Sequence, residues 1–238
     1  MKPLYMGILL STLIALPVID NTASAKSKAE LADVFHGDML GVTLEYFESK
    51  VGPAKTRYDG EYSYTVEGCS VGVFADEGTI NALSLDLTSE CNADLSAFIG
   101  DLAPAEEKKG LISGLWSKKT PLTFGSFQAA AGFLQFYSDC LTMCGNSHDP
   151  SIYALWEGPR STGFIQVVLE TPIVSDPIID ASNKWEALMV KERGKDWVTE
   201  NKFNCDRSYD RPAQAIFSDI EPAKVTVGHY LRTPDCYQ

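Results

Sequence analysis

Alternation of apolar and polar positions dominates residues 61–87. Tyr62, Tyr64 and Val66 alternate with polar neighbours and predict a strand over 61–67. A second strand is expected over 70–75 and a third over 79–87, where Leu83, Leu85 and Leu87 share one face and read as core. Asp76-Glu77-Gly78 between them reads as a hairpin turn. Upstream the period becomes helical. Leu31, Val34 and Phe35 fall on one face within 28–35, and Thr43 is placed to cap a short helix through Val51. Gly52 and Pro53 stop that helix. Residues 95–102 and 106–116 read as helical or irregular.

The same order returns about 80 residues later. Thr43, Phe47 and Val51-Gly52 have counterparts in Thr123, Phe127 and Ala131-Gly132 at identical spacing. Strands follow over 136–141, 152–156 and 163–170, with a turn at 157–162. Each half therefore predicts a helix and then a three-stranded antiparallel meander, the mark of a repeated unit. Beyond 176, Ser182 can cap a helix through Arg193, with Trp185, Leu188 and Met189 at helical spacing and Gly194 as its stop. Asp210 can cap another, with Pro212 in its first turn, and a last strand is expected over 224–231. The fold class that results is α+β. It comprises two tandem helix-plus-antiparallel-sheet units, 26–117 and 118–175, with a C-terminal extension over 176–238 packed on the second unit.

The N-terminus changes the setting. Lys2, an apolar stretch over 4–19 and Ala23-Ser24-Ala25 form a signal-peptide pattern, which places the mature start at Lys26. No later apolar run reaches the ~20 residues of a membrane span, and no Cys stands at the cleavage point. No membrane anchor is expected, and the location is periplasmic or secreted. In such an oxidising compartment Cys69, Cys91, Cys140, Cys144, Cys205 and Cys236 are expected to form three disulfides. Six Cys allow 15 connectivities; pairing sequence neighbours gives 69–91, 140–144 and 205–236.

Charge narrows the partner. The chain has 238 residues, of which 32 are Asp or Glu and 20 Lys or Arg, for a formal net charge of −12. Nucleic acid and anionic membranes require a basic patch, so neither is an expected partner. Residues 58–107 carry acids throughout and no Lys or Arg. A surface of one sign attracts a basic protein, although it also serves solubility. Asp76 and Glu77 at a hairpin tip are its most protruding part. Tyr62, Tyr64, Trp156 and Phe164 lie in predicted strands and are candidate interface anchors, a role that competes with core packing.

Chemistry-bearing motifs are sparse. Gly68-Cys69-Ser70-Val71-Gly72 spells the hydrolase nucleophile string, but a strand and hairpin follow where a helix is needed. Cys140, Cys144 and His148 have metal-ligand spacing on a helix, set against a loop-like Gly145-Asn146-Ser147 and a competing disulfide. His36, His148 and His229 are the only histidines. No catalytic residue, metal or cofactor is assigned.

Gly41-Val42-Thr43-Leu44-Glu45, Phe47, Val51-Gly52-Pro53 and the aromatic strand and hairpin after them resemble a known superfamily. Its units occur in the small outer-membrane-assembly lipoproteins and in the secreted β-lactamase inhibitor proteins. The resemblance covers about 45 residues well, the second unit loosely and the extension not at all. Tandem units, secretion and disulfides stand closer to the inhibitors. The resemblance implies a concave sheet face and a hairpin tip that dock on another protein, without catalysis. The expected function is thus a non-catalytic protein-binding module, an inhibitor or immunity factor against an extracytoplasmic enzyme, whose partner has a basic surface. The alternative is a periplasmic small-ligand or metal-binding protein, with an enzyme third.

Overall fold

Three successive two-residue turns fold residues 56–86 into a tight meander. Asp59-Gly60 joins β1 (Thr56–Tyr58) to β2 (Glu61–Val66), and Glu67-Gly68 joins β2 to β3 (Cys69–Asp76). Glu77-Gly78 then joins β3 to β4 (Thr79–Asp86). In every one of these turns both central residues have positive φ, from 44° to 88°. That is the primed-turn geometry whose twist matches the flanking strands, with glycine relieving the second position. The computed structural model describes residues 29–104, 122–128, 134–138, 150–200 and 207–231. The signal-peptide reading over 1–25, the helix reading over 106–116, Ala131-Gly132 and the remaining four cysteines with His148 lie outside these residues.

A second meander is formed by β5 (Gln135–Ser138), β6 (Ser151–Glu157) and β7 (Gln166–Pro172). The two are joined by β8 (Lys224–Gly228), giving one eight-stranded antiparallel sheet in the order β1-β2-β3-β4-β8-β7-β6-β5. Val227 stands opposite Leu83 on β4 and Val167 on β7, and Val225 opposite Leu85 and Leu169. The strand of the C-terminal extension bonds to both meanders. The protein is therefore α+β, with one continuous sheet and several helices.

The described helices are α1 (Leu31–Val34), α2 (Leu44–Val51), α3 (Ser96–Ile99), α4 (Asp176–Arg193), α5 (Lys195–Glu200) and α6 (Asp210–Phe217). Thr43 caps α2 as its position predicts: its Oγ1 accepts from the Tyr46 N–H at 3.2 Å, and Gly52 at φ 89° ends the helix. At its expected counterpart, Phe124–Gln128 is a tight 3₁₀ turn. The long helix α4 begins at Asp176 rather than at Ser182, because Ser175 and Pro177 already form a start signal. Ser182 is turned into the core.

One face of the sheet carries the core. Val71, Val73, Leu83, Leu85, Val225, Val227, Val167 and Leu169 are buried there beneath Phe47, Phe98, Trp185, Met189 and Phe217 of the helices. Under the second meander the layer is aromatic, with Phe127 5.8 Å from Trp156 and Phe136 5.7 Å from Phe217. The outer edge of β5 is covered as well. The Phe136 N–H donates to Asp210 Oδ1 at 2.9 Å, and Arg207 Nη2 donates to the Phe136 carbonyl at 3.1 Å. Backbone groups that would otherwise invite another strand are thereby occupied. Among the described residues no helix is long and apolar enough to cross a membrane.

Candidate functional site

Successive residues of a strand point to opposite faces, so a helix-covered face fixes the other one. With Tyr64, Val66, Val71 and Leu85 turned inward, the outward set is Glu61, Ser63 and Thr65 on β2, then Ser70, Gly72 and Phe74 on β3. It continues through Ala82, Ser84 and Asp86 on β4, Thr226 on β8, Val168 and Glu170 on β7, and Tyr153 on β6. A trough of about 710 Å³ crosses this face.

Small side chains form the floor of the trough. Ala82, Thr226 and Val168 lie across the central strands, and Gly228 allows β8 to press against β4. A Cβ on Gly228 would collide with the Asn81 carbonyl and the Ala82 side chain. The first hairpin borders the trough with Tyr58, Asp59 and Glu61, and β3 adds Phe74 and Asp76. His229 and Tyr230 close the side beyond β8, where the His229 N–H donates to the Asn81 carbonyl at 2.9 Å. Tyr58 is 82% exposed and Tyr230 94%. An exposed aromatic beside carboxylates suits recognition of a cationic, partly apolar group.

The anticipated anchors divide across the sheet. Asp76 is exposed and borders the trough, and Glu77 forms the adjoining turn at φ 49°. Tyr64 and Trp156 do not reach a surface: they are 3% and 0% exposed. Tyr64 packs edge-on against Phe47 at 5.0 Å, and its hydroxyl donates to Glu48 Oε1 at 3.2 Å. Burial pushes its phenol pKa well above the usual tyrosine range, and the Glu48 charge adds to the effect. Arg57 Nη2 reaches the same Glu48 oxygen at 2.7 Å, and its guanidinium lies over the half-buried Tyr62 ring, 5.8 Å from the centroid. Tyr62 is thus on the helix-facing side, away from the trough. Phe164 is 60% exposed, but in the β6–β7 loop at φ 59° rather than in a strand. It lies at the sheet end that also bears the Glu77-Gly78 turn, since Gln166, Gly228 and Ala82 share one row.

Tyr58, Asp59, Glu61, Phe74, Tyr153 and Tyr230 were missed as site residues. The signal for two of them was present: the parity that makes Tyr64 apolar-facing makes Glu61 outward, and Phe74 follows from its pairing with Glu61. Tyr230 follows the last strand and carries no periodic signal.

Other candidate chemistry resolves locally. Ser70 sits within the β2–β3 ladder opposite Thr65, without the strand-to-helix turn of a nucleophile elbow. Cys69 and Cys91 form a disulfide, tying the segment after β4 to the start of β3. Among the described residues no group of three or more His, Cys, Asp or Glu could hold a metal ion. No family model, curated protein or solved structure matches the chain.

Proposed function

We propose that this is a secreted or periplasmic protein-binding module that acts by docking rather than catalysis, as an inhibitor or immunity factor against an extracytoplasmic enzyme. The trough on this sheet face, with its carboxylates and exposed tyrosines, carries this reading. Such a face offers area, rigid aromatic anchors and a one-signed field to a basic partner. The Cys69–Cys91 disulfide supports an extracytoplasmic location. The two meanders, each in β-hairpin order on either side of β8, support descent from one repeated unit. Asp76 and Glu77 steer the encounter from the rim.

The test is capture from periplasmic extract by oxidised wild-type protein and by Thr226→Arg, which puts a long cation in mid-trough. A stoichiometric, salt-sensitive partner held by the wild type and lost by the variant is the expected result. A partner held equally by both would move docking away from this face. Reversing Asp76 and Glu77 to Lys is expected to slow association about tenfold at low salt. A second reading, a small-ligand carrier, draws on the trough volume, which falls in the range of ligand pockets.

A further inference from the structure

Resting on the docking reading, we propose that the trough is the receptor for one basic side chain, an arginine or a lysine, projecting from the partner protein. Three carboxylates, Asp59, Glu61 and Asp76, are exposed along its rim, and no described Lys or Arg pairs with any of them. Elsewhere the protein uses its own cations. Arg57 pairs with Glu48 at 2.7 Å, Arg207 with Asp210 at 3.7 Å and Lys224 with Asp86 at 3.9 Å. The negative field over the trough is therefore uncompensated, and field lines concentrate where low-dielectric walls surround a cleft.

Charge alone would suit any cation; the walls and floor narrow the choice. Tyr58 and Tyr230 expose most of their ring surface at the rim, and a cation over an aromatic face is attracted by the ring quadrupole. The floor residues Ala82, Thr226 and Val168 are small and uncharged. A compact hydrated metal ion gains nothing from such a floor. An Arg or Lys stem buries methylenes along it while its head reaches the carboxylates. Arginine fits better, because its planar guanidinium both stacks on tyrosine and donates to two carboxylates at once.

Titration of the isotope-labelled, oxidised full chain with the capped peptide Gly-Ser-Arg-Ser-Gly, followed by amide chemical shifts, tests this. Shifts are expected at Gly60, Phe74, Asn81 and Tyr230. They should weaken with salt, and the same peptide with citrulline for arginine should produce none. The triple variant D59N/E61Q/D76N should bind about tenfold more weakly. All three side chains are exposed, and Asn accepts the positive φ at 59, so the variant keeps the fold. Citrulline peptide binding equally well, or the triple variant binding within about twofold of wild type, would overturn the proposal. So would agmatine binding as tightly as the peptide, which would make the trough a small-cation site. If the peptide fails while Thr226→Arg still abolishes capture of a natural partner, the basic occupant is wrong and the docking reading stands. If Thr226→Arg leaves capture intact, the docking reading itself falls.

Discussion

The two meanders on either side of β8 reach similar strand pairings by different physical means. In β2–β4 the strands are joined by two-residue turns, so each ladder is closed by neighbours in the chain at small entropic cost. Its helix-side core is modest: Phe47 meets Tyr64 and Phe35 meets Phe98, each at 5.0 Å, and the Cys69–Cys91 disulfide adds a covalent tie. In β5–β7 the connections are longer, and order comes from elements far along the chain. Phe217 of α6 packs on Phe136 and stands 6.4 Å from Trp185 of α4, while Arg207 and Asp210 bind the edge of β5. One half is held by connectivity, the other by distant burial.

Truncating the second half's aromatic layer should have the largest effect. Phe217 is fully buried, and Phe217→Ala is expected to lose about 3–5 kcal/mol in urea unfolding. A loss below about 1 kcal/mol would show that β5–β7 hold without α6. Removing the first half's tie comes next. The disulfide closes a sequence separation of 22 residues, and Cys69→Ser with Cys91→Ser is expected to cost about 3 kcal/mol. A much smaller loss would mean that the turns alone carry this meander.

Asp210→Ala sharpens the same contrast from the edge. It orphans the Phe136 N–H and is expected to cost about 2 kcal/mol. It should also raise self-association in light scattering, because an edge strand loses its cover.

The smallest effect is alkaline. An unfolded tyrosine ionises near pH 10, whereas burial raises the native pKa of both Tyr64 and Tyr137 above that value. The native state then keeps protons that the unfolded state has lost. Stability is full below about pH 10 and falls as pH rises further. Tyr64→Phe and Tyr137→Phe should each flatten part of this decline in pH-resolved melting, and an unchanged slope in either would remove that residue as its source.

Much of the first half was legible because its signals are local. The alternation of Tyr62, Tyr64 and Val66, the Asp76-Glu77-Gly78 turn and the Thr43 cap each act within a few residues, and each is realised. β1 was not foreseen, since it has three residues, all exposed, and no alternation. The central place of β8 was illegible for another reason: Leu83 and Val227 pair across about 140 residues, and nothing in either segment names the other. The candidate site shows a subtler failure. Leu83 and Leu85 read as core, whereas for Tyr64 an anchor role competes with core packing. Tyr64 pairs with Val71, which pairs with Leu85, so all share one face. Applied across the ladder, the parity rule would have sent Tyr64 inward and left Glu61 as the residue to watch. Asp76 borders the trough because a turn exposes its neighbours whichever face is buried.

β8 also sets the schedule on which this molecule can become itself. It follows the other seven strands along the chain and takes the middle position. Before it is synthesised, β4 and β7 are bare edges facing one another, each a template for the wrong partner. Without β8 the trough cannot form, because its floor includes Thr226 and its border includes His229 and Tyr230. The trough is therefore the last feature of the sheet that the chain can complete.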